Sequence, residues 1–147
     1  MALYALDTNL YVYAVRDTVA AAELMQFYSA FAPRCYLSSV VLHELLFGAN
    51  TPEKARQLHS DVAAPFVRTS RIVTPSHRAW ATAGEALSRI AKEEHMDRKA
   101  FPKSLVADAL LAASCRENGI TLITSNTTDF ERIGRVIKFS FAAPWPS

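Results

Sequence analysis

The stretch Leu105–Phe130, LVADALLAASCRENGITLITSNTTDF, decides the fold. Its first half reads as a helix, because Leu105, Asp108, Ala109 and Ala112 recur at spacings of three and four. Ser104 is the expected cap of that helix and Gly119 its stop. ITLIT follows as a short buried strand. Asp108 falls on the apolar stripe, where an unpaired charge is expensive. No Lys or Arg lies within the stripe to pair with it. The expected partner is something outside the chain, such as a metal ion.

Outward from this unit the same alternation recurs. LYAL, from Leu3, is a short strand ending at Asp7, and TNLYVYAV after it has helical or turn character. DTVAAAELMQFYSAF has an Asp17 cap and stops near Pro33; CYLS is a second strand. SVVLHELLFGA follows with Ser39 as the expected cap and Gly48 as a stop. PEKARQLHSDVAAPF begins with Pro52 at a first-turn position and reads as a helix. RIVT is a short strand, PSHRAWATAGEALSRIAKEE a long helix and HMDRKAFPK a charged loop. RVIKFS is the expected last strand before APWPS. Short apolar strands alternating with helices imply an α/β fold with a mainly parallel sheet. In such sheets ligands gather at the carboxyl ends of the strands.

Composition bounds what the chain can be. Its 147 residues suit one domain spanning 1–147 with a real core. A net charge of +2 makes no global polycation, so nucleic-acid binding has to come from a local patch. Cys35 and Cys115 are too few for a disulfide framework and suit free thiols in a reducing cytoplasm. The start lacks the pattern of a signal peptide, and no apolar run is long enough to span a membrane. His43, His59, His77 and His95 lack the pairing of a zinc site.

The acids cluster in the strand-end rule. Asp7 ends the first strand, Glu44 lies in the helix after the second, Asp108 precedes ITLIT, and Asp129 follows it in TSNTTDF. Each has an ordinary reading. Asp7 can cap a helix, Glu44 can reach solvent, Asp108 can be a first-turn acid and Asp129 a turn residue. Taken together, like charges converging on one sheet edge repel unless a cation holds them. Hard carboxylate oxygens suit Mg²⁺ or Mn²⁺.

LDTNLYVYAV, LSSVVLHELLFGA and ADALLAASCRENGITLITSNTTDF, in that order, resemble the successive blocks of a PIN domain. The resemblance extends to the VapC-like toxin ribonucleases of bacterial toxin–antitoxin pairs and spans Leu3 to about Ile137. It implies a three-layer fold, a short mainly parallel sheet flanked by helices, with an acidic pocket for Mg²⁺ or Mn²⁺. It places the family's first three acids on Asp7, Glu44 and Asp108. The fourth is less clean, since Asn126 stands where many PIN domains carry an acid, and the role falls to Asp129 or to water. The resemblance further implies an RNA substrate, a cognate antitoxin and a homodimer.

A metal held by Asp7 and Asp108 would neutralise a phosphate oxygen and acidify water, with Glu44 holding a second ion or acting as base. Thr8, Asn9, Thr124, Ser125 and Asn126 can hydrogen-bond the carboxylates or their waters, or serve only as turn residues. Arg16, Arg98, Lys99 and Lys103 are candidate phosphate contacts; the last three can equally be a solvated charged loop. The aromatic residues, Tyr13 and Trp80 among them, are expected in the core. DTVAAAELMQFYSAF offers an apolar face for a partner or for the core itself. Rival readings are a receiver-like signalling module, an Asp-nucleophile phosphatase and a PIN-like scaffold that binds RNA without cutting. The first lacks its paired acids and late Lys, and the second has Asn9 where a second Asp is required.

Overall fold

In a computed structural model, which describes residues 1–146, the strands are β1 (Leu3–Leu6), β2 (Cys35–Ser38), β3 (Ile72–Val73), β4 (Ile120–Ile123) and β5 (Phe141–Ala142). The helices are α1 (Thr8–Arg16), α2 (Thr18–Phe31), α3 (Ser39–Phe47), α4 (Pro52–Leu58), α5 (Ala64–Arg68), α6 (His77–Glu93), α7 (Lys103–Asn118) and α8 (Thr127–Gly134). The strands lie in the order β3-β2-β1-β4-β5, and every neighbouring pair is parallel. Helices therefore carry the chain back between strands, as the alternation of apolar segments requires.

β1 is central. It pairs with β4 along its whole length, Leu3 opposite Ile120 through Leu6 opposite Ile123. This register puts the ends of β1 and β4 level, and with them Asp7 and Thr124. The ladder continues one step further, Asp7 donating its N–H to the Ile123 carbonyl at 2.9 Å.

α7 is buried more completely than a single apolar stripe predicts. Every residue from Asp108 to Cys115 is buried. α6, α3, α8 and β4 all pack on this helix. Ala109, Ala112 and Ala113 leave room for that close approach, and Gly119 ends the helix at φ 63°. No side chain caps its start. Pro102 precedes Lys103, so Ser104 lies inside the helix and is not its cap.

Other expectations shift for local reasons. Ser38, not Ser39, caps α3, its Oγ accepting from the Val40 N–H at 3.1 Å while its backbone is still extended. The segment from Pro52 to Phe66 is not one regular helix. Pro65 has no N–H for the carbonyl four residues back, and the chain widens into a π turn over His59–Ala63, with Ala64 N–H bonding the His59 carbonyl. Arg135–Ser140 is not a strand; pairing with β4 begins only at Phe141. TSNTTDF is no simple turn, because α8 begins at Thr127 and takes in Asp129. Tyr13 and Trp80 are exposed. Among the described residues no helix is long and apolar enough to cross a membrane.

Candidate functional site

Asp7 closes β1 and starts α1. Its extended backbone makes it the N-cap, and both carboxylate oxygens are engaged: Oδ1 accepts from Thr8 N–H at 2.8 Å, Oδ2 from Thr124 Oγ1 at 2.7 Å. The capping reading of Asp7 holds, and it is compatible with the site reading. Burial raises its pKa, while the Thr124 and Thr8 bonds pull the other way. Thr124 is fully buried and also accepts from Asn126 N–H at 2.9 Å, so one hydroxyl ties the end of β4 to Asp7 and to the entry of α8.

Thr8 reaches a second acid. Its Oγ1 donates to Glu44 Oε1 at 3.1 Å, which holds α3 against the start of α1. Glu44 is half-buried, not free in solvent. Burial raises its pKa, the Thr8 bond lowers it, Asp7 raises it again and His43 lowers it.

Asp108 differs from both. It is 7% exposed in the second turn of α7, and no hydrogen bond offsets its burial. Desolvation first, then the charges of Asp7, Glu44 and Asp129, push its pKa up to about 8. Asp129, which contributes to that push, lies in the first turn of α8. Its Oδ2 accepts from Asn126 Nδ2 at 2.9 Å. Four acids from four separate elements are coupled at one sheet edge, and each pushes Asp108 toward the neutral form or is pushed by a neighbour.

The charge balance at this edge is unmet by the chain. Among the described residues the ion pairs are Arg56–Glu53, Arg89–Glu93 and Arg132–Glu94, none of which involves the four acids. Hard oxygen donors without a cation fit Mg²⁺ or Mn²⁺. No three described His, Cys, Asp or Glu side chains are gathered closely enough to hold an ion jointly as they stand. An ion held by one or two carboxylates and completed by water fits this spacing, which is the common mode for Mg²⁺.

Not all the polar residues of the motifs reach the site. Thr8, Thr124 and Asn126 do, through the bonds above. Asn9 and Ser125 are exposed, and neither makes a side-chain hydrogen bond to the acids. Arg98 donates to Ser88 Oγ at 3.3 Å, and Asp97 orders its loop by accepting from Lys99 N–H at 3.0 Å. Lys99 and Lys103 are exposed and form no ion pair with the acids. Arg16 instead lines a cavity of about 430 Å³ that Thr8 and Glu44 also line. Lys54 and Gln57 of α4 line it too. Sequence reasoning missed both, since an exposed Lys and Gln on a polar helix carry no signal until α4 folds beside α3.

A family model described as PIN domain matches residues 4–136. The tRNA(fMet)-specific endonuclease VapC of Shigella flexneri is 27% identical over 136 residues, covering 91% of this chain and 94% of that protein. Among solved structures, a chain of the DNA-bound VapBC from Salmonella typhimurium superposes with a TM-score of 0.72 at 19% identity, covering 97% of this chain and 98% of that one. That likeness is one of fold. A chain of VapBC2 from Rickettsia felis, bound to a DNA fragment from its promoter, gives a TM-score of 0.64 at 25% identity, covering 98% and 99%. With the model match running over most of the length, from β1 through α8, the chain belongs to the PIN domain family.

Proposed function

We propose that this chain is a metal-dependent endoribonuclease, a single catalytic domain acting as the toxin of a toxin–antitoxin pair in the cytoplasm. The observation that carries the reading is the uncompensated acid cluster at the strand ends, with Asp108 pushed up to about 8. The likeness to a relative named as a VapC endonuclease supports RNA as the substrate. The likeness to VapBC complexes supports an antitoxin partner.

Asp7 and Asp108 would hold Mg²⁺ or Mn²⁺, with Glu44 available to a second ion. Bound there, the metal would supply neutralisation of a phosphate oxygen and acidification of water. Asp7 is held in orientation by Thr8 N–H and Thr124 Oγ1, so its carboxylate does not have to be ordered when the metal binds. Glu44, positioned by Thr8 Oγ1, orients the attacking water and accepts its proton. Asp129, oriented by Asn126 Nδ2, adds negative charge at the rim and binds water there. Attack at phosphorus leaves a 5′-phosphate and a 3′-hydroxyl, and the substrate's 2′-hydroxyl takes no part.

The antitoxin places a cationic group at the acids and so blocks metal or phosphate. Exposed Val15, Val19 and Met25 on α1 and α2 offer a partner apolar surface. The family resemblance supports a homodimer. A second reading, a PIN scaffold that binds RNA without cutting, draws on one observation: Asn126 replaces an acid, and its amide occupies an oxygen of Asp129.

The test is to incubate the purified, antitoxin-free chain with a mixed RNA pool and Mn²⁺ and to sequence the ends. Cleavage with 5′-phosphate ends, lost in Asp108→Asn, supports the enzyme. Tight RNA binding without new ends supports the scaffold. Growth arrest on expression, relieved by a small protein encoded alongside, tests the toxin role.

A further inference from the structure

We infer that the cavity beside the acids is a nucleotide subsite, taking one unstacked base of an RNA strand while Arg16 and Lys54 grip the adjoining backbone. The inference rests on the ribonuclease reading and adds where the strand lies. At about 430 Å³ the cavity falls within the range, about 300–1,000 Å³, of sites that enclose small ligands. Thr8 and Glu44 belong both to its lining and to the acid site. A nucleotide seated in it is therefore next to the phosphate being cut.

The lining has the parts a base requires. Val12, Leu45 and Leu58 offer apolar contact to a flat ring, and the Gln57 amide offers a donor and an acceptor to its edge. Arg16, at the end of α1, and Lys54, in the first turn of α4, are exposed. Neither is in an ion pair among the described residues, whereas Arg56 on the same helix as Lys54 pairs with Glu53. Asp61 lines the cavity as well, so Arg16 and Lys54 offset Glu44 and Asp61, and a polyanion that brings its own metal-neutralised phosphate meets no net negative charge there. A basic peptide would gain at the acids but meet Arg16 and Lys54 with like charge. The apolar contacts are within reach only of a base that has left its stack, so the subsite favours single-stranded or looped RNA over duplex.

The test compares the full-length parent with Arg16→Ala/Lys54→Ala and with Ala49→Trp, which fills the cavity from its lining. Short RNAs of mixed sequence are supplied with Mn²⁺, single-stranded or annealed to their complements. The double variant is expected to raise KM roughly tenfold, more than it lowers kcat, and to reduce the salt slope of RNA binding by about 1.4, the loss of two single-strand phosphate contacts. Ala49→Trp is expected to change which base flanks the cut, read by end sequencing. The parent is expected to cut strands faster than duplexes. Both positions of the double variant are exposed, so it carries the test even if Ala49→Trp does not fold. A parent that cuts RNA, with the double variant keeping the parental KM, salt slope and cut sites, overturns the subsite. So does equal cutting of strand and duplex. A parent that cuts no RNA at all overturns the ribonuclease reading itself, and the subsite with it.

Discussion

The two ends of β1 are built to opposite rules. At the amino end, Tyr4 meets Phe27 and Phe31 edge-on, both with ring centroids 5.3 Å away, and the Arg34 guanidinium lies 4.9 Å from the Phe31 centroid. Trp145 extends the cluster, its ring 5.1 Å from Phe27 and its Nε1 donating to Glu23 Oε2 at 3.0 Å. Arg34 and each of these rings have a partner, and the region stabilises the fold. At the carboxyl end, three elements bring acids toward Asp7, and among the described residues none of the four acids is in an ion pair. That end costs stability in the metal-free protein. The contrast separates the residues that hold the sheet together from acids that the chain leaves without an ion pair.

The sharpest way to break this contrast is to neutralise the acids. Asp7→Asn and Asp108→Asn are each expected to lower RNA cleavage by about a thousandfold, the scale for losing a main electrostatic contact in a site. Both should stay folded, and Asp108→Asn should melt higher than the parent without metal. Calorimetry with Mn²⁺ should show weakened binding. A folded Asp108→Asn protein with parental turnover would remove the distinction between the two ends.

The amino end should respond the other way. Phe27→Ala deletes a buried ring with several aromatic neighbours and is expected to cost about 3–5 kcal/mol. On a chain of this size that lowers Tm by on the order of 10 °C. Mn²⁺ affinity measured well below the new Tm should stay parental. A large loss of affinity there would mean that the two ends are coupled through β1.

Asp129→Asn should lower turnover by about 10- to 100-fold, less than loss of Asp7 or Asp108, because a group acting through water is partly replaceable. Asn126→Asp should tighten Mn²⁺ modestly and lower metal-free stability, since it sets a second carboxylate where Asn126 Nδ2 now bonds Asp129. Single-turnover cleavage across a metal titration reads both. Parental cutting by Asp129→Asn at every Mn²⁺ concentration would reduce the site to three acids.

The last test is a pH dependence. The Asp108 pKa is about 8 in the folded chain against an ordinary value of 3.8, so the folded state holds the extra proton between those values. Metal-free stability should therefore fall as pH rises through that window and level off above it. The margin of Asp108→Asn over the parent should grow over the same window. Thermal melts in chelator across this range check it, and an unchanging margin would mean that Asp108 is not charged at its neighbours' expense.

Much of this was legible in the residues alone. The alternation of short apolar strands with helices determined a parallel α/β sheet, because periodicities of two and 3.6 are local. Asp7 after the first strand, Glu44 in the helix after the second, Asp108 in the first half of the helix before ITLIT and Asp129 after it pointed to one acidic edge, because parallel strands point their carboxyl ends the same way. Chain chemistry near boundaries was less legible. Ser38 and Ser39 are equally good caps on paper, and only where β2 ends chooses between them. Ser104 looks like a cap, but Pro102 already allows the helix to start at Lys103.

Tertiary structure alone decided the rest. That α7 is buried all round follows from four elements converging on its small residues, which no single stripe can reveal. That Thr8 and Thr124 bond the acids while Asn9 and Ser125 face outward depends on rotations of less than one turn at strand ends. Arg98 is drawn to Ser88, and Lys54 shares a cavity with Glu44, because folding sets segments together that the chain keeps apart. Local pattern fixes which face a residue takes on its own element; the partner it meets there depends on packing between elements, which involves contacts far apart in the chain.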